Sequence, residues 1–262
     1  MLDIVYGNVT SLSDKAEHYF LNSQADVFAM CETHLTKEDA VAKAKEFGQK
    51  WQCTVAPAQH SKFSLFGSYG GAMIGVKRHL NSAKVAGDAK DDTVYVSPNS
   101  YVAARTIHME RRDTLLFVCY CKNGDLGLCM EYIAKVTNNG KLPYIAMGDF
   151  NQSAKATKDS MWVKNMDAKV LAAEDGAVTC FLKGGTCIDY VVCSPYIAPY
   201  ILSLERELEV SWAPHCGLRL RLAMQPKAVL VKSLRYPKAV SYTHLRAHET
   251  DSYLVCRRLL EK

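Results

Sequence analysis

Five short segments of this chain place a chemistry-bearing side chain at the edge of an apolar run. N-V-T follows LDIVYG and supplies Asn8. C-E-T-H follows DVFAM and supplies Glu32. G-D-F-N follows PYIAM and supplies Asp149 and Asn151. I-D-Y-V-V carries Asp189 into an apolar run, and P-H-C-G-L sets His215 before LRLRLAM. Carboxylates, amides and one imidazole, without a thiolate cluster, are hard donors that suit Mg²⁺ or Mn²⁺ rather than zinc. Cys216 follows His215, yet no second Cys/His group stands at zinc-ligand spacing. A divalent cation beside a His and an Asp is apt for attack of water on a phosphate ester. The cation offsets charge on the phosphoryl oxygens, and a carboxylate orients the water. Taken singly, each segment has a plainer reading: G-D closes a strand, and Glu32 is a solvated loop acid. Asp189 is harder to dismiss, because a buried carboxylate needs a partner.

Polar groups converge only if the elements that carry them end together. The patterns predict strands over Leu2–Val9, Asp26–Leu35, Gly70–Val76, Leu142–Asn151, Ile188–Ser194 and Leu218–Met224, with a short one at TVAPA. They predict a hairpin of Tyr101–His108 and Thr114–Tyr120 about the charged turn ERRD, with Arg105 an ordinary exposed strand arginine. Helices are predicted over Ser13–Phe20 with Ser13 as N-cap, Lys37–Gly48, Leu126–Asn138 and Met161–Leu171. Strands and helices alternate without repeats or linkers, which predicts one domain of mixed α/β type over 1–225. Sites in such folds gather at strand ends.

The 262 residues, 48% hydrophobic and 23% charged, exclude a disordered or collagenous chain and a disulfide miniprotein. No apolar run reaches the roughly 18 residues that would span a bilayer, and the N-terminus lacks a basic, apolar leader. An intracellular protein, cytoplasmic or nuclear, is expected, with its ten cysteines mostly buried and reduced. The net charge of +5 is misleading. Residues 226–262 hold eight of the 32 Lys/Arg and three of the 27 Asp/Glu, which leaves 24 of each in residues 1–225. The body is neutral, so the tail's charge is not read as a nucleic-acid arm. Tyr and Trp are scattered without a stacking stripe for single strands. Val240–Thr250, VSYTHLRAHET, resembles a transposon-end sequencing adapter translated in frame, and Leu254–Lys262 resembles the flow-cell end of the same oligonucleotide. Residues 240–262 are expected to be non-native, and 226–239 are left open.

The ordered set of Asn8, Glu32, Asp149 with Asn151, Asp189 and His215 resembles the endonuclease/exonuclease/phosphatase superfamily, over about Leu2–Ala223. That group includes abasic-site, DNase I-like and retrotransposon endonucleases, deadenylases and inositol-phosphate phosphatases. The resemblance implies a four-layer DNase I-like fold, a two-layer β-sandwich flanked by helices. It implies Mg²⁺ or Mn²⁺ on Glu32 with Asn8 beside it. Asp149 would orient or deprotonate the attacking water, and Asn151 would hold a phosphoryl oxygen. His215 would contact the scissile phosphate, with Asp189 fixing it. C-Y-C-K-N is similar to the family's Y-x-P-N element without its proline, which would place Tyr120 and Asn123 near the phosphate. One departure stands out: the family's S-D-H is here Ala213-Pro214-His215. Proline has no carboxylate and no amide hydrogen, so weaker metal binding and a lower rate are expected.

Three functions fit this reading. The first is a metal-dependent phosphodiesterase on nucleic acid, DNA rather than RNA, as a monomer or a module of a longer retroelement polyprotein. The second is a phosphomonoesterase or lipid-headgroup phosphatase, disfavoured because KGGTCIDYVVCSP lacks the W-C-D-R set of inositol phosphatases. The third is a binding domain that has lost activity, for which Pro214 speaks.

Overall fold

The computed structural model describes residues 1–61, 67–85 and 94–230. Residues 240–262, read above as non-native, lie outside them. Each central strand is an apolar run whose alternate side chains serve two different layers. In β1 (Leu2–Asn8), Ile4 and Tyr6 face one way and Val5 the other. In β6 (Thr114–Cys121), Leu116 and Val118 face inward while Phe117 and Cys119 face out. Such strands require cover on both faces, and the helices supply it.

The first sheet runs β10–β11–β1–β2–β4–β3. Here β2 is Val27–Cys31, β3 Trp51–Ala56, β4 Ala72–Lys77, β10 Ile201–Glu207 and β11 Gly217–Leu222. The second runs β8–β9–β7–β6–β5, with β5 at Ser100–Ile107, β7 at Tyr144–Asp149, β8 at Lys169–Leu171 and β9 at Asp189–Cys193. Ser82–Ala83 and Val94–Val96 add short pairings to β5. The inner faces meet through Ile4, Ile74, Leu116, Val118, Ile145 and Leu220. Outside the first sheet, Phe20 of α1 (Asp14–Leu21) and Phe47 of α2 (Lys37–Phe47) pack on Phe28 and Val5. Outside the second, Met130 and Ile133 of α3 (Leu126–Val136) pack on Phe117 and Ala146. The order is helices, sheet, sheet, helices: the four-layer sandwich that the resemblance implied.

The expected strands of the central sheets form close to their predicted bounds, and Ser13 caps α1, its hydroxyl accepting from Ala16 N at 3.3 Å. Two expectations need correction. Met161–Leu171 is not one helix. After α4 (Ala154–Asp159), α5 (Met161–Asn165) stops near Asp167, whose φ is 48°, and Lys169–Leu171 pairs with β9 as an edge strand. Arg105 is not an exposed strand arginine. It is buried, and its guanidinium reaches across the sandwich to Gln52 Oε1 (2.9 Å) and Thr54 Oγ1 (3.3 Å) on β3 and to Ser82 Oγ (2.9 Å). Of the stretch left open above, the compact unit takes in residues as far as Val229. Asn81 N bonds Lys227 O, Lys227 N bonds His108 O, and Val229 N bonds His79 O.

Two parallel pairings govern where the site falls. β1 pairs parallel with β2, and β6 with β7. Their C-terminal ends therefore open on one rim of the sandwich. The antiparallel neighbours β9 and β11 bring their N-terminal ends to that rim. The β6–β7 approach depends on Gly148, where an added Cβ would stand 2.4 Å from the Cys119 carbonyl oxygen. We expect Gly148→Ala to cost about 1–3 kcal/mol in urea unfolding, the scale of an overpacked core. Unchanged stability would show that β6 and β7 separate more easily than this contact implies.

Candidate active site

Strand register sets the deepest row of the site. Tyr120 on β6 is opposite Asp149 on β7, and Asp149 is opposite Asp189 on β9. Across the sandwich, Asn8 ends β1, Glu32 follows β2 and His215 precedes β11. Oxygen atoms of Glu32 and Asp149 and a ring nitrogen of His215 lie within 4.8 Å of one another. Six residues separated by up to two hundred positions thus meet at one rim.

The hydrogen bonds fix most of these groups. His215 Nδ1 is 2.8 Å from Asp189 Oδ2. A carboxylate can only accept, so Nδ1 carries the proton and Nε2 is the accepting atom of the neutral ring. Asn8 Nδ2 donates to Asp149 Oδ2 at 2.8 Å and stands 3.4 Å from His215 Nε2. The Asn8 oxygen takes the amide of Thr10 at 3.0 Å. Asn8 therefore shows its nitrogen to the carboxylate cluster, whereas a metal ligand would have shown its oxygen. His215 itself is held like a strand residue: Cys180 bridges it, Cys216 N bonds Thr179 O, and Phe181 N bonds Pro214 O.

The rim is built from strained turns. Glu32 and Asn151 have φ of 52° and 48°, and Asn123 has 56°. Asparagine tolerates this region, while glutamate there costs on the order of 1–2 kcal/mol. The Asn151 amide closes a short turn by donating to Asp149 Oδ1 at 2.9 Å. The side chains of Asn151 and Asn123 are exposed at the rim, and among the described residues neither is hydrogen-bonded into the cluster. Their loops touch, because Gly124 lies against the Asn151 backbone. Tyr120 is buried; burial raises the pKa of its hydroxyl, and the charge and hydrogen bond of Glu32 raise it further.

Burial dominates the electrostatics. It pushes the Asp149 carboxyl up to about 8, and the adjacent Asp189 adds to the rise, against the opposing pull of His215 and of the Asn151 amide. For His215, burial works downward, but the bond to Asp189 and the charges of Asp189, Asp149 and Glu32 outweigh it and hold the ring above its ordinary value. No described cation shares a salt bridge with Asp149 other than His215, at 4.0 Å. Two carboxyl groups and an imidazole nitrogen facing one point form a donor set that fits a hard divalent ion. Both Glu32 and Asp149 offer oxygen. The described cysteines do not compete: all are free thiols, and seven of the nine are buried.

Three contributors escaped the sequence reading. Tyr6 donates to Asp189 Oδ1 at 2.9 Å. Thr179 Oγ1 takes the Asp189 amide at 3.0 Å. Trp212 lies over Gly7, where an added Cβ would fall 2.3 Å from Trp212 Cζ2, and it stacks on Phe20 with centroids 5.2 Å apart. Tyr6 and Asn8 share one face of β1, and that i, i+2 spacing was the available signal for Tyr6.

No family model matches the sequence, and no curated protein does either. Solved structures do match. The catalytic domain of Xenopus laevis APE2 superposes with a TM-score of 0.61 at 14% identity, covering 87% of this chain and 94% of that one. The endonuclease domain of TRAS1, a telomere-specific non-LTR retrotransposon, gives 0.60 at 14%, covering 84% and 97%. An endonuclease/exonuclease/phosphatase family protein from Leptotrichia buccalis gives 0.59 at 13%, covering 85% and 99%. The chain has the fold of these proteins.

The raised pKa values set the sign of a pH effect. Asp149 unfolded loses its proton near 3.8, and folded near 8. Its contribution to stability is full below pH 4 and is lost as pH rises towards 8, and His215, also raised, acts in the same direction. In EDTA, the unfolding free energy should fall between pH 5 and 9, and Asp149→Asn should flatten that slope. Parallel curves for the two proteins would count against the assignment.

Proposed function

We propose that this chain, with an endonuclease/exonuclease/phosphatase-type fold, is a divalent-metal-dependent phosphodiesterase that hydrolyses the nucleic-acid backbone, acting as an endonuclease on DNA rather than RNA. The observation that carries the reading is the meeting of Glu32, Asp149 and His215 within 4.8 Å, beside a His215–Asp189 pair. Glu32 and Asp149 would hold Mg²⁺ or Mn²⁺, which when bound offsets charge on phosphoryl oxygens. Asp149 orients the attacking water and takes its proton. Asn8 steers Asp149 by donating to Oδ2 and leaves Oδ1 to the Asn151 amide. His215, whose protonated form Asp189 favours by holding Nδ1, would in that form donate Nε2–H to the scissile phosphate. Asn151, Asn123 and Tyr120 line the rim where phosphoryl oxygens would lie.

The likeness to the TRAS1 endonuclease domain supports a retroelement module. Pro214 supports a weakened enzyme, since it stands beside His215 and offers no carboxylate. A phosphatase reading has no feature in this site to favour it over a diester substrate.

The full chain would be assayed on supercoiled plasmid, on duplex DNA with one abasic site, on RNA and on a phosphomonoester. Cleavage of DNA should require Mg²⁺ or Mn²⁺, cease in EDTA and fall at least about 10²-fold in Asp149→Ala, the scale for loss of an acid–base group. Monoester hydrolysis alone would replace the reading with a phosphatase. Metal-dependent DNA retention without cleavage would replace it with a binding domain. Pro214→Asp should tighten Mg²⁺ binding and raise the rate several-fold, and no gain would remove Pro214 from the explanation.

A further inference from the structure

Asp189 has two oxygens, and His215 uses one of them. We infer that Tyr6 is a positioning residue of this site, holding the other oxygen so that the carboxylate cannot turn away from His215. Tyr6 is fully buried, and its hydroxyl donates to Asp189 Oδ1 at 2.9 Å while His215 Nδ1 is 2.8 Å from Oδ2. The main chain of Asp189 is tied separately, its amide donating to Thr179 Oγ1 at 3.0 Å. Every rotation of the carboxylate therefore breaks a hydrogen bond at one end or the other.

The phenol's own geometry supports a donor role. Tyr6 Oη also lies 3.2 Å from Cys31 Sγ. The phenol has one proton, and the carboxylate can only accept it, so the thiol donates to the phenol oxygen. The hydroxyl thus joins β1, β2 and β9, drawn from both sheets. Two residues along β1, Asn8 does the same for Asp149. These two rungs leave Asp189 and Asp149 each gripped from the facing sheet. A tyrosine that served packing alone would need no hydroxyl here, because burying one without a partner costs free energy that phenylalanine avoids.

A shared carboxylate also divides its charge between two donors. Removing the phenol should strengthen the pull of Asp189 on the His215 Nδ1 proton, and a more acidic phenol should weaken it. This gives a test in which two variants move one signal in opposite directions. The full chain, metal-free and at one fixed pH, would be compared with Tyr6→Phe and with 3-fluorotyrosine at position 6, which keeps the ring and the hydroxyl. The signal is the His215 Nδ1–H resonance, identified by its loss in His215→Gln. We expect it to move downfield in Tyr6→Phe and upfield with the fluorinated ring. No movement in either overturns the inference and leaves Tyr6 a core residue.

The kinetic arm rests on the phosphodiesterase reading. With Mg²⁺, Tyr6→Phe should lower kcat about tenfold, the scale of lost outer hydrogen bonds at such sites, with KM and the Mg²⁺ midpoint within about twofold. Added to Asp189→Asn, it should lower kcat no further, because its effect passes through Asp189. Independent, multiplicative losses overturn the inference, as does a kcat loss without the resonance shifts. If the unaltered chain hydrolyses no diester, the functional reading fails, while the resonance arm still decides the role of Tyr6.

Discussion

Two carboxylates in register on adjacent strands, both closed off from water, are the constraint that the rest of this rim answers to. Asp149 and Asp189 are directly opposite each other across β7 and β9. Burial and the neighbouring Asp189 oppose ionisation of Asp149. The surrounding sequence meets this with donors from every side: the Asn8 amide, the His215 ring, the Tyr6 phenol and the Asn151 backbone amide. The result is asymmetric. Asp189 has two donors, Tyr6 and His215, and its own amide donates to Thr179 Oγ1, which holds the main chain in place. Asp149 keeps a raised pKa and faces Glu32, so it retains the capacity to change its protonation or its partner. One acid is fixed and the other is left responsive, a difference in line with the acid–base roles proposed for the site.

The sandwich exists to make this arrangement affordable. Its two inner faces are apolar, and among the polar links that cross between the sheets near the rim or beyond it are Tyr6 to Asp189, His215 to Asp189, Asn8 to Asp149 and Arg105 to β3. Each is fully satisfied at its far end. The sheets are thereby held in one relative register, which hydrophobic contact alone specifies poorly because it has no direction.

Much of this was legible in the residues. Short apolar runs marked the central strands, and the five polar strand ends marked the rim. What the sequence concealed had physical causes. In Ile201–Glu207, ILSLERE, half the positions are charged or polar, as suits a half-exposed outer strand, so no apolar run announced β10. Arg105 reads as a surface residue until Gln52 and Thr54, more than fifty positions earlier, are placed opposite it. Tyr6 reads as core because it is core, and only its phenol oxygen departs from that. The side-chain flip of Asn8 depends on Thr10 N, a backbone group that no residue pattern reports. Long-range hydrogen bonds, rather than elements, were the missing information.

Trp212 and Gly7 divide one space between them. The indole belongs to the loop that leads to His215, and it occupies the volume a side chain at position 7 would fill. Neither residue can be inherited alone. A descendant with a bulky side chain in the middle of V-Y-G-N-V must give up the indole, and one that loses the indole opens a hollow over β1 beside Asn8. The two positions should therefore drift together through the relatives of this chain, and the size of the residue before Asn8 becomes a sequence signature for how the histidine loop is seated.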